Sequence, residues 1–211
     1  MLTLLANNST RFITIALALS AVGVANAGEV RLTGSTKGAF DAQAYGTTNS
    51  LLGLTFSSST FDDTTVGNSL DFGGNPNPGS NFNNLGSLSL NNVNNTYNGH
   101  TFSVQVTFTA PVTIVGGNQS VFTSVLTGTI LNNAGGVFID FNNAPQTFVF
   151  SNANATGSFT FAVNDISIAP GQVSSISAHI TGNQNPVPEP AAFAGIACGL
   201  IGLLGAVRRK K

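Results

Sequence analysis

Residues 102–109 read Phe102-Ser103-Val104-Gln105-Val106-Thr107-Phe108-Thr109, apolar and polar side chains in strict alternation. Side chains of an extended strand point alternately to opposite faces, so Phe102, Val104, Val106 and Phe108 share one face and the hydroxyl and amide groups the other. This is the pattern of a half-buried strand. The same alternation predicts strands at Leu52, Leu54 and Phe56, at Leu88 and Leu90, at Val137, Ile139 and Phe141, at Phe159, Phe161 and Val163, and at Ile176, Ala178 and Ile180. Apolar runs at 121–131 and 147–150 add strands whose facing the sequence leaves open. No helical period appears between residues 28 and 185.

Turn chemistry separates these runs at short intervals: Gly73 to Gly79, Asn94 to Gly99, Gly116 to Asn118, Asn132 to Gly136, Asn142-Asn143, Asn152 to Gly157 and Pro170-Gly171. Gly and Asn tolerate the positive φ that tight hairpins require. Short strands with frequent turns predict an all-β domain over residues 28–185, an antiparallel β-sandwich with phenylalanines between its sheets. A β-barrel is the alternative. The length suits one domain with one core. The region holds no cysteine and no tryptophan, so packing rather than disulfides must stabilise it.

Its charged residues are Glu29, Asp41, Asp62, Asp63, Asp71, Asp140 and Asp165 against Arg31 and Lys37. Without clustered lysine and arginine, nucleic acid is excluded as a partner. The polar surface is built instead from Asn, Ser, Thr, Gln and Gly. Such a surface suits an exported, matrix-associated protein and equally a low-complexity domain.

Candidate chemistry is sparse. His100 and His179 are too far apart in sequence for a local metal pair; His100 reads as a loop residue and His179 as the solvent-facing side of its strand. Asp62, Asp63 and Asp71 could offer oxygen ligands to calcium, but their spacing fits no calcium loop and a solvated turn is the simpler reading. Asp63, Asp140 and Asp165 can be nominated, not argued, as the carboxylates of a hydrolase. Tyr45 and Tyr97, with asparagines, are the residues that could line a carbohydrate groove. Nucleophile elbow, phosphate loop and dinucleotide fingerprint are all absent. No catalytic residue, cofactor or metal is therefore expected. Asn94, Asn118 and Asn154 match the N-glycosylation pattern, a chance match in a chain rich in Asn and Thr.

Residues 1–27 read as a secretory signal peptide: Arg11 is the sole positive charge, an apolar core runs from Phe12 to Val24, and small residues Ala25 and Ala27 precede a cut before Gly28. At the other end, 186–211 form a tail. Val187-Pro188-Glu189-Pro190 is an extended strap, because each proline fixes its own φ and pushes its predecessor toward extended geometry. Ala191 to Val207 is a run of seventeen uncharged residues, roughly 25 Å as a helix and just long enough to span a membrane. Arg208, Arg209, Lys210 and Lys211 then stop transfer and stay cytoplasmic by the positive-inside rule, leaving the domain outside. Gly195, Gly199 and Gly202 make a small-residue face on the span, and Cys198 lies inert within it.

Pro188-Glu189-Pro190, the spanning run and the terminal basic cluster together resemble the PEP-CTERM sorting signal of Gram-negative bacteria, over the last 25 residues. The resemblance implies recognition by an exosortase, a polytopic transpeptidase-like membrane enzyme, and removal of the tail near the motif. Residues 82–111, with Leu85-Gly86-Ser87-Leu88 and the 102–108 strand, are similar to all-β choice-of-anchor surface domains, which mostly lack an assigned activity. The expectation is an all-β exported domain flanked by an N-terminal signal-peptide helix and a C-terminal transmembrane helix. It would be a non-enzymatic surface or biofilm-matrix protein whose precursor sits in the inner membrane. An exopolysaccharide-binding module and, behind it, a secreted hydrolase are the alternatives.

Overall fold

A computed structural model describes residues 28–187. It is all-β, with no helix among the described residues and sheets that curl into a half-barrel. Sixteen strands follow one another among the described residues: β1 (Arg31–Phe40), β2 (Thr48–Leu51), β3 (Leu54–Ser57), β4 (Ser59–Thr64), β5 (Ser69–Phe72), β6 (Asn81–Phe82), β7 (Ser87–Leu90) and β8 (Asn95–Thr96). The second half holds β9 (Thr101–Ala110), β10 (Gln119–Leu131), β11 (Ala134–Phe141), β12 (Gln146–Ser151), β13 (Ala155–Val163), β14 (Ile166–Ile168), β15 (Val173–Ser175) and β16 (Ala178–Pro186).

They form three sheets. The largest runs β14-β11-β10-β9-β1-β4-β6, with β8 beside β10; a second runs β12-β13-β16-β5; a third runs β15-β7-β3-β2. All pairings are antiparallel except β4 with β6.

β9 is the spine of the core. Phe102, Val104, Val106 and Phe108 are all buried, and the two phenylalanines at its ends serve different sheets. Phe102 lies 5.4 Å, ring centre to ring centre, from Phe56 of the third sheet and 4.9 Å from Phe40 of β1. Phe108 meets Phe148, Phe159 and Phe161 of the second sheet at 5.1, 5.1 and 5.6 Å, edge to face. Phe61–Phe72 and Phe122–Phe161 make the same crossing on either side. The large sheet thus curls over both smaller ones, and aromatic edges meet aromatic faces, the arrangement that ring quadrupoles favour.

The runs left open at the sequence level resolve cleanly. In β10, Phe122, Ser124, Leu126 and Ile130 are buried while Val121, Val125 and Leu131 face water; in β12, Phe148 and Phe150 turn inward and Val149 outward. One expected strand forms but begins two residues later than its alternation implied. Leu52 does not alternate with Leu54 and Phe56: it has φ of 52° and, with Gly53 at 88°, forms the two-residue turn between β2 and β3. Positive φ at both central residues marks a primed hairpin turn, and the glycine beside Leu52 is its signature. Asn132 and Asn133, φ 52° and 64°, make the expected equivalent turn between β10 and β11.

The asparagines are structural, which corrects the low-complexity reading. Asn81 donates to Ser57 O, Ser58 O and Ser87 Oγ at 3.2, 3.1 and 2.9 Å and accepts from Asn77 N at 2.8 Å. Asn84, fully buried, donates to Gly74 O and accepts from Gly86 N. Each acts as a piece of spare backbone, pairing main-chain groups that no neighbouring strand reaches.

Candidate functional site

The sequence places function in the segments on either side of the domain, and the fold brings the first and last parts of the described chain together. Gly28 forms an antiparallel bridge with Gln184 of β16, Gln184 N donating to Gly28 O at 3.0 Å. Because the two segments run in opposite directions, the chain entering at Gly28 and the chain leaving past Gln184 lie on the same side of the pair.

The entry is anchored at once. The carboxylate of Glu29 accepts from Thr65 Oγ1 at 2.6 Å, Gly67 N at 3.0 Å and Asn68 N at 3.3 Å, and Thr65 Oγ1 in turn accepts from Val30 N at 2.9 Å. Asn68 O receives Gly182 N at 2.9 Å, so one turn ties the entry strand to β16. The exit is equally short of slack. β16 pairs with β13 through Pro186, opposite Ala155, and Val187 N still donates to Asn154 O at 2.9 Å. Val187, 38% exposed, is the one residue of the proposed sorting motif among the described residues, and this contact holds it to the domain.

Of the other predicted site residues, Gly28 is described; Ala25, Ala27, Pro188, Glu189, Pro190, Arg208, Arg209, Lys210 and Lys211, and with them the signal-peptide and membrane helices, lie outside the described residues.

The thiol-free, charge-poor domain spends its few ionisable groups on structure. Arg31 makes a two-pronged pair with Asp62, 2.9 and 2.7 Å, on the exposed surface. Asp41 (φ 48°) turns the chain out of the end of β1, beside the start of β9, accepting from Thr101 N at 2.9 Å and pairing with His100 Nδ1 at 2.9 Å. His100 lies in the loop before β9, as expected, and is half-buried beside Asp41. His179 faces solvent as expected, where Asp71, directly opposite on β5, meets its Nδ1 at 2.6 Å. Asp62 and Asp71 being so engaged, the carboxylates considered for calcium do not converge, and among the described residues no three His, Cys, Asp or Glu side chains gather round a common point.

Of the carboxylates nominated for hydrolysis, only Asp63 stands apart: β11 and β14 pair Ile139 with Ile166 in antiparallel register, which brings positions 140 and 165 beside each other at the next step. Asp63 on β4 and Asp140 on β11 are separated by β1, β9 and β10, about 19 Å across a sheet. Asp165 accepts from Phe141 N at 2.9 Å. Tyr97 cannot line a carbohydrate groove: its ring is fully buried and its hydroxyl donates to Leu52 O at 2.7 Å, closing the β2–β3 turn over it. Tyr45 stays partly exposed.

The Thr65 hydroxyl, helped by the N–H groups of Asn68 and Gly67, holds the Glu29 carboxyl below its ordinary value near 4.5. The Thr101 N–H and then His100 lower Asp41 likewise. A carboxyl depressed by folding stabilises the native state above its unfolded pKa, and that contribution disappears as pH falls through the folded pKa. Melting temperature should accordingly fall as pH drops from 5 toward 3. Glu29→Gln and Asp41→Asn should each flatten that slope, and a slope unchanged in both variants would reject these two carboxylates as its source.

Comparison of the chain with protein-family models, with curated proteins and with solved structures found no match.

Proposed function

We propose that this chain is an exported cell-surface or extracellular-matrix protein whose precursor is held in the inner membrane and processed by an exosortase at Val187 to Pro190. Its domain is an antiparallel β-sandwich without catalytic activity of its own. Ala25 and Ala27 direct removal of the leader before Gly28, a transmembrane helix over 191–207 holds the substrate, and Arg208 to Lys211 stop transfer.

The observation that carries this reading is the pairing of Gly28 with Gln184. Two apolar segments that flank a domain engage one membrane face most directly when its entry and exit lie side by side, and the antiparallel bridge of Gly28 with Gln184 supports that arrangement. The strap is also short. From Val187 to Ala191 a fully extended chain reaches at most about 14 Å, so the domain rests against the membrane while the tail is in place.

Intact mass of the protein from cell surface and medium, compared between the producer and a strain lacking its exosortase, tests the proposal. The expected result is loss of both the first 27 residues and the tail only where the enzyme is present. Glu189→Ala combined with Pro190→Ala should leave a membrane-bound precursor. Normal release of that variant, or a tail retained in both strains, would overturn the reading.

A further inference from the structure

Where the chain leaves the third sheet and enters the large one, Ser57, Ser58 and Ser59 bend between β3 and β4, and the start of β2 and the strand β6 close over the bend. The result is a groove of about 570 Å³, within the range of about 300–1,000 Å³ that small-ligand sites occupy. We infer that this groove binds a neutral saccharide chain, with Phe82 as the platform for a sugar ring.

The chemistry of the walls carries the assignment. Thr47, Thr48, Ser58, Thr60 and Ser80 contribute hydroxyls, and no ionisable side chain lines the groove. A hydroxyl both donates and accepts, so a wall of hydroxyls matches a ligand made of hydroxyls in either sense. The nearest charges along β4 belong to Asp62, which Arg31 already pairs. A charged ligand would find nothing here to attract it.

One apolar surface stands among these groups. Phe82 is 56% exposed, the most open phenylalanine among the described residues, in a domain that otherwise buries nearly all of its aromatic rings. It is held there by its neighbours. Asn81, 7% exposed and engaged in four hydrogen bonds, fixes β6 beside β4, and Asn83 N donates to Thr60 O at 3.0 Å on the other side.

The floor is equally fixed: Ser58 N donates to Thr47 O at 2.7 Å and Ser59 N to Thr36 Oγ1 at 3.0 Å. A sugar ring has an apolar C–H face and a polar rim. A rigid aromatic in a hydroxyl-lined groove is complementary to both, whereas a peptide would require further apolar pockets or an open run of backbone.

The test is affinity electrophoresis of the protein recovered from its producer, in gels carrying dextran, hydroxyethylcellulose or galactomannan, three neutral polymers of different linkage, or the acidic polymer alginate. The expected result is retardation by at least one neutral polymer, weakened about tenfold by Phe82→Ala and retained in Phe82→Trp. Phe82 is exposed, so its loss should leave the melting temperature unchanged; should it fall, Thr48→Arg, which places a bulky cation in the groove, gives the second reading.

Retardation by alginate alone, by none of the polymers, or by a neutral polymer with equal strength in Phe82→Ala and Thr48→Arg would overturn the inference. The sorting reading is separable, since a Glu189→Ala chain that escapes processing should still be retarded.

Discussion

Phe108→Ala should cost about 3–5 kcal/mol of folding stability, the range for truncating a large aromatic in a packed core. The ring is 1% exposed and lies at 5.1–5.9 Å from four others, Phe61, Phe148, Phe159 and Phe161. Three of these belong to the facing sheet, so the cavity would open between sheets, where backbone pairing prevents either wall from collapsing into it. Domains of this size are typically stable by only about 5–15 kcal/mol, and the domain has no cysteine to supply a compensating disulfide. Urea denaturation should show a midpoint lowered in proportion, with the exposed replacement Val125→Thr changing it little. A loss below about 1 kcal/mol would show that the sheets are not held through this ring.

Gly86→Ala should be nearly as damaging, for a steric reason. The ring of Phe56 fills a slot with a glycine on each flank. A methyl group at Gly38 would stand 2.5 Å from Phe56 Cδ1, and one at Gly86 would stand 2.5 Å from Phe56 Cε2 and 2.7 Å from Ser57 O. Gly86 also holds φ of 117°, which a residue with a Cβ rarely adopts.

Overpacking of about 1–3 kcal/mol and backbone strain of about 1–3 kcal/mol then act together. Gly38→Ala, with the crowding but without the positive φ, should fall between Gly86→Ala and wild type. Thermal melting of the three proteins decides the order. Equal melting of Gly86→Ala and wild type would show that Phe56 has room to move.

The period of two was enough to find the faces of β9, β11, β13 and β16, because alternation is imposed by the strand itself and needs no knowledge of its partners. Leu52 escaped because it continues that alternation while Gly53, one residue on, bends the chain. The division into three sheets was not legible: Phe102 and Phe108 look alike in sequence, and only their partners, at Phe56 on one side and Phe148 to Phe161 on the other, separate their roles. Tyr97 and the asparagines misled for a related reason. Whether a polar side chain faces water or replaces a missing backbone partner depends on residues 20 to 45 positions away, as with Asn81 and Ser57 or Tyr97 and Leu52.

At the candidate site the sequence offered a motif to propose, but not the meeting of Gly28 with Gln184, a contact across almost the whole domain. The saccharide groove shared the difficulty, since its walls come from three separate segments and its platform, Phe82, sits in a two-residue strand with no alternation to announce it.

The joined ends also set how the domain bears a mechanical load. A pull applied between Gly28 and Val187 would meet the Gly28–Gln184 pair first, then the Val30–Thr65 and Gly182–Asn68 contacts behind it. With both ends leaving on one side, these bonds are opened in succession like teeth of a zipper rather than sheared all together. Tension would therefore peel the rim at low force and leave the β9 core intact. A pull on one of these two positions alone would put no such stress on the seam where Gly28 and Gln184 meet.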